Sequence, residues 1–238
     1  MPRRLRLFPL NAVLFPGAAL NLHIFEARYK QMINECLESG EGFGVALIAD
    51  GAEAGDPNVM PHDVGSIAEI VDVQPLPFGR FYISTVGRER FRITEIVSRE
   101  PYLTVSAELL EDDAPPIDDD IEDLTGRVRD LFSEYLELVV EFSGQETIVE
   151  FPDDAQDASY LIGDTLQIAE AFKQRLLELD TAKERLVAER DFLEGLLPRL
   201  RRLLERRRKE LEARRENGED LSYRPGQEKF FGKYFSLN

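Results

Sequence analysis

Apolar residues in the first half of the chain tend to recur every second position, and in the second half every third or fourth. The first spacing belongs to strands with one buried face, the second to helices with one buried stripe. Arg3 to Phe8 alternates, with Leu5 and Leu7 on one face, and is punctuated by Pro9 and then Pro16-Gly17. Ala19 to Phe25 reads as a second strand. From Glu26 to Ser39 the spacing changes: Tyr29, Met32, Ile33, Cys36 and Leu37 predict one apolar helical face, stopped by Gly40. Val45 to Ala49 is a short apolar strand, and Asp50 to Asp63, rich in Gly, Asp and Pro, is a loop. Ser66 to Val73, Phe81 to Val86, Arg90 to Ile96 and Tyr102 to Glu108 carry the β-branched and aromatic residues of further strands. Pro77-Phe78-Gly79 reads as a hairpin tip. Several short strands with one helix predict a compact barrel or small sandwich.

Glu111 to Asp120, with Pro115-Pro116 and clustered acids, reads as a linker. Beyond it Ile121, Leu124, Val128, Leu131, Tyr135, Leu138 and Val139 form one stripe of a helix from about Asp118 to Phe142. Ser143-Gly144 ends it. Asp153 or Asp154 caps a further helix carrying Tyr160, Leu161 and Leu166. Phe172, Leu179, Leu186, Leu193 and Leu200 then recur every seven residues. A break is expected at Leu179-Asp180, where Thr181 and Glu184 make a capping box for a new helix running to Glu216. Pro198 removes a backbone donor inside that helix, which predicts a kink or break near Gly195–Pro198. The expected class is α+β, with a β-barrel subdomain at 1–113 and a helical bundle with a long C-terminal helix and aromatic tail at 118–238.

Charge narrows the function. The 238 residues carry a net charge of −17, against the basic surface a general nucleic-acid binder needs. The charge is uneven: Arg199 to Arg215 is strongly basic and the preceding helical half acidic. Arg3, Arg4 and Arg6 precede an apolar stretch, but Pro9, Asn11, Pro16, Gly17 and Asn21 interrupt it, so it reads as strands rather than a leader. No uninterrupted apolar run reaches the length of a membrane span. The single cysteine, Cys36, excludes an internal disulfide and a cysteine-rich zinc site. The expectation is a cytoplasmic protein that uses neither nucleic acid nor membrane.

Candidate chemistry is sparse. His23 and His62 are the only histidines, and no ligand spacing joins them to Cys36 or Asp63. Cys36 reads as a small core residue rather than a nucleophile served by His23. The acids at Asp112-Asp113 and Asp118 to Asp120 lack the alternation of a calcium loop, and Asp153-Asp154 reads as helix capping. The basic run reads as a solvated face balancing the acidic helical half, with contact to an anionic partner or a short coiled coil as the other readings. No catalytic residue, metal site or cofactor is expected. Apolar side chains at a loop tip or near a terminus mark contact surfaces when they stay exposed. Phe78 at the hairpin tip, and Phe230, Phe231, Tyr234 and Phe235 near the end, are therefore the candidate contact residues.

Several segments, taken in order, resemble the N-terminal substrate-recognition region of Lon proteases. Phe8-Pro9-Leu10 followed by Val13-Leu14-Phe15-Pro16-Gly17 is similar to that family's opening segment. Leu22-His23-Ile24-Phe25-Glu26-Ala27-Arg28-Tyr29 is similar to the start of its first helix, and Gly65 with Ile67 to one of its strands. Gly87-Arg88-Glu89-Arg90-Phe91-Arg92-Ile93 is similar to a later strand entry. Pro152-Asp153-Asp154 and Asp180 to Leu186 are similar to helix starts in its helical half. The resemblance implies a PUA-like β-barrel followed by a helical bundle that ends in a long helix. It also implies recognition of unfolded or damaged polypeptides without hydrolysis, with a protease or other protein as partner. No G-x-x-x-x-G-K-[ST] phosphate loop occurs in the chain, so ATP-independent binding is expected, as in a quality-control adaptor. Two other readings stay open: an assembly protein acting through the leucine-rich final helix, and an RNA-binding PUA-like protein. The oligomeric state is not legible.

Overall fold

The alternation at the start of the chain forms β1 (Arg3–Leu10), whose Leu5 and Leu7 are buried. Five more strands follow: β2 (Ala19–Ile24), β3 (Phe43–Leu47), β4 (Val64–Leu76), β5 (Arg80–Ser98) and β6 (Thr104–Leu110). Helix α1 (Ala27–Ser39) lies between β2 and β3. These and the elements below come from a computed structural model, which describes residues 2–49, 59–111, 119–144 and 149–216. The sheet order is β2-β5-β4-β3-β1-β6, and β5 also pairs with β6. The circuit β5–β4–β3–β1–β6 therefore returns to its starting strand. β1 and β3 are parallel, and the other pairs antiparallel. Inside lie Leu5, Leu7, Ala46, Ile67, Phe91, Leu103, Val105 and Ala107.

In α1 the expected face is largely the observed one. Tyr29, Met32, Ile33 and Cys36 are buried, and Gly40 ends the helix with a left-handed φ of 68°. Leu37 departs from the expectation at 44 % exposed, because it sits at the edge of the stripe. β5 also departs: two strands were expected on either side of Gly87, and one 19-residue strand runs through. Gly87 serves close approach rather than a turn. Its N–H donates to the Ala18 carbonyl and its carbonyl accepts from Gly17 N–H, both at 2.8 Å. A Cβ there would stand 2.1 Å from the Phe15 carbonyl oxygen, well inside contact distance. The Phe15-Pro16-Gly17 and Gly87–Ile93 segments thus meet in space.

The helices are α2 (Asp119–Ser143), α3 (Ala155–Thr165), α4 (Glu170–Glu178) and α5 (Ala182–Glu216). The described residues pack as two compact units. The first runs to Glu111 and also takes in Gly163–Leu166 and Glu170–Asp180; the remainder forms the second. In the first unit, α4 is held by polar side chains. Buried Arg90 donates to the carbonyls of Leu177 at 2.6 Å and Leu179 at 2.7 Å, which are among the orphan acceptors at the end of α4. Gln174 donates to Val64 O at 3.0 Å, and the Glu170 carboxylate accepts from Val13 N–H at 2.9 Å.

In the second unit, Asp154 caps α3 by accepting from the Gln156 and Asp157 amides at 2.9 and 3.0 Å. Thr181 and Glu184 form the expected reciprocal capping box, each bond 3.2 Å. Of the kink or break expected near Gly195–Pro198, the break does not occur, since α5 is helical through Pro198. A proline costs one backbone bond, and the buried Leu193, Leu196, Leu197 and Leu200 around it outweigh that cost. Three ion pairs link α2 to α5 at a constant sequence separation of 67: Arg127–Glu194, Glu134–Arg201 and Glu141–Arg208. Both numbers rise by seven at each step, so the two helices run in the same direction. The buried stripe of α2 is rotated from the expected one toward Phe132 and Phe142, leaving Leu124, Leu131, Leu138 and Val139 half-buried.

Candidate functional site

β4 and β5 pair out to Leu76 opposite Arg80, and Pro77-Phe78-Gly79 closes the turn. Phe78 and Gly79 both take left-handed backbone angles, φ 66° and 63°. Glycine adopts this freely, whereas a side chain pays roughly 1 kcal/mol. Phe78 bears that strain and is still 89 % exposed. Its carbonyl accepts from Lys30 Nζ at 3.4 Å, and Arg80 Nε donates to Pro77 O at 3.0 Å. The Arg80 guanidinium also lies 5.9 Å from the centre of the Phe78 ring. The tip is therefore an aromatic ring on a braced turn, flanked by two cations.

Further rings are exposed behind the tip, beside polar positions such as Gln74. In register, His23 lies opposite Tyr82 and Tyr82 opposite Gln74. The His23 ring centre is 4.7 Å from that of Tyr82 and 5.5 Å from that of Phe25. Phe25 is 60 % exposed and Tyr82 50 %. Val71 is also exposed, at the bulge between Ile70 and Asp72. Of these, sequence reasoning singled out only Phe78 as a contact residue. Period-two spacing gives His23 and Tyr82 a face each, but it does not say that β2 pairs with β5 and puts the two on the same face.

The other candidates that are described are buried or lie beside partners within the fold. Cys36 is buried, its Sγ 4.0 Å from the Gly42 carbonyl, and burial pushes the thiol up to about 11. At neutral pH it is a poor nucleophile. His62 Nδ1 lies 3.6 Å from Glu178. Among the described residues, no three His, Cys, Asp or Glu side chains are grouped to hold a metal. Arg201 and Arg208 of the basic run are paired with acids of α2, and Arg207 donates to the Phe142 carbonyl at 2.6 Å. Within α5, Glu189 is buried with neither carboxylate oxygen hydrogen-bonded. Desolvation holds it well above the usual carboxylate range, and the Arg185 charge pulls the other way. Asp112, Asp113 and Asp118, and the aromatic tail with Phe230, Phe231, Tyr234 and Phe235, lie outside the described residues. No helix among the described residues is long and apolar enough to cross a membrane.

Comparison with known proteins gives a consistent result. A family profile described as the ATP-dependent protease La (LON) substrate-binding domain matches residues 4–195. The Lon protease of Porphyromonas gingivalis is 29 % identical over 180 residues, 74 % of this chain and 21 % of that protein. That of Parabacteroides distasonis is 30 % identical over 181 residues, 74 % of this chain and 22 % of that protein. The chain thus spans about a fifth of the length of the curated relatives it matches. Among solved structures, a Lon N-terminal domain protein from Xanthomonas campestris superposes with a TM-score of 0.59 at 26 % identity, covering 78 % of this chain and 96 % of that one. The N-terminal domain of a Mycobacterium avium complex Lon protease shares the fold, with a TM-score of 0.58 at 19 % identity over 81 % of this chain and 98 % of that one.

Proposed function

The chain belongs to the LON substrate-binding domain family, and from that premise we propose that it is a polypeptide-binding module that captures non-native segments without cleaving them. The observation that carries the reading is the exposed aromatic surface at the end of the β4–β5 ribbon: Phe78, Phe25 and Tyr82, beside Lys30 and Arg80. Exposed rings grouped in contact, as His23 is with Phe25 and Tyr82, mark interaction surfaces. Unfolded clients offer apolar side chains in varied order, and a surface of exposed rings holds them with little sequence preference. In this reading the closed circuit of strand pairings is the PUA-like barrel of the family, and α2, α3 and α5 belong to its helical bundle. The aromatic tail, Phe230, Phe231, Tyr234 and Phe235, supplies a second contact. The module works in the cytoplasm as an adaptor that passes clients to a protease or another partner.

The test is fluorescence anisotropy of the purified protein with a labelled, permanently unfolded polypeptide, its folded counterpart serving as control. Saturable binding that favours the unfolded form is expected. Equal binding of both forms, or none at high protein concentration, would overturn the reading.

A further inference from the structure

Strand β2 stands at one end of the sheet order, with β5 on one side only. The Gly87 amide donates to the Ala18 carbonyl, which fixes the phase of pairing: even-numbered residues of β2 turn their backbone groups toward β5. Ala19, Asn21 and His23 therefore turn their N–H and C=O groups outward, away from β5. Among the described residues these outward groups have no backbone partner. Natural sheets blunt such edges with lysine, proline or a bulge. The Ala-Leu-Asn-Leu-His-Ile sequence of β2 has no charged residue and no proline, and its register with β5 is unbroken from Ala19 to Ile24.

Each face beside this edge carries apolar or aromatic groups, with Asn21 and its cross-strand partner Ser84 as polar members of the exposed one. On one lie His23, Tyr82 and Phe25, in ring contact; on the other lie the half-buried Leu20 and Leu22. At the Ile24 end stand Lys30 and Arg80, neither of them in an ion pair among the described residues. We infer that β2 is a docking edge, to which an extended polypeptide segment with alternating apolar side chains adds as a further strand, its acidic end beside Lys30 and Arg80. The inference rests on the polypeptide-binding reading and specifies its mode: main-chain hydrogen bonds to Ala19, Asn21 and His23 hold the segment, and the flanking rings select its side chains.

The experiment uses the whole chain and a short fluorescein-labelled peptide that alternates valine or phenylalanine with threonine and ends in glutamates. Two further peptides carry N-methyl groups on one or the other set of alternate residues. In an added strand only one set directs its amides at β2. Methylating that set is expected to weaken binding by at least about tenfold, and methylating the other to leave it unchanged. Equal loss from both sets, or from neither, overturns strand addition. So does failure of the unmethylated peptide to bind while the unfolded polypeptide still binds, and in that case the family reading survives. On the protein side, Asn21→Pro removes an outward donor at an edge position where proline is tolerated. It should lose the peptide with its melting temperature kept. Unchanged affinity in a folded Asn21→Pro protein counts against the edge, and the methylated peptides decide the matter if that variant does not fold.

Discussion

Two side chains are placed where folding alone would not put them. Phe78 holds a left-handed backbone conformation at a position where asparagine or glycine would fit without strain, and its ring gains little burial in return. Phe78→Asn keeps the turn and removes the ring. It is expected to leave the melting temperature equal or higher, while anisotropy reports about tenfold weaker binding of an unfolded polypeptide. A binding curve superimposable on the parent's would remove Phe78 from the site. Glu189 is the reverse case, a carboxyl group buried without hydrogen bonds and raised by desolvation. In the unfolded chain it ionises near 4.3, as ordinary glutamates do, at roughly that pH. Between that pH and its raised folded value the native state holds a proton that the unfolded state has lost, so stability falls as pH rises. Glu189→Gln mimics the protonated form and should abolish this slope. At pH 8 it should melt at least about 2 °C higher than the parent, and at pH 5 nearly together with it. Parallel curves across that range would show that Glu189 is ionised in the fold.

At the level of elements, the clearest dependence is that of α4 on β5. Arg90 is buried and closes the end of α4 through the carbonyls of Leu177 and Leu179. Arg90→Met fills similar volume but leaves those acceptors unsatisfied. Urea unfolding is expected to show a loss of about 3 kcal/mol, as for a buried charged donor. A loss below about 1 kcal/mol would mean that water replaces the guanidinium. Much at this scale was legible beforehand, because local chemistry sets it. Gly40 ends α1, Asp154 starts α3, and the Thr181–Glu184 box starts α5, each through bonds between near neighbours. What stayed hidden depends on long-range partners. Gly87 looked like a break in a strand because its reason, the Phe15 carbonyl, lies far back in the chain. Pro198 looked like a break in a helix because propensity is local and the burial that overrides it is not. The basic run was read as balancing the acidic helical half, but which acids it meets, Glu134 and Glu141, depends on α2 lying alongside α5. The candidate contact surface was half legible: a hairpin-tip phenylalanine can be read from spacing, but the edge of β2 exists only once the strand order is known.

For the whole molecule, the chemistry that is present limits what binding can be coupled to. The chain has no phosphate-cradling loop, and its one thiol is buried with its ionisation suppressed. On the proposed reading, exposed rings and an open strand edge hold the client, and neither spends nucleotide energy to release it. Capture should therefore be an equilibrium set by mass action, with exchange governed by affinity alone. In a light-scattering assay, this protein should suppress aggregation of a heat-denatured client in proportion to its concentration and saturate near stoichiometric ratios. Magnesium and ATP should leave the curve unchanged, and the client should stay full length on a gel. Phe78→Asn and Asn21→Pro should shift the curve to higher protein concentration, because they act on capture itself. Turnover at substoichiometric protein, or acceleration by ATP, would overturn capture by mass action.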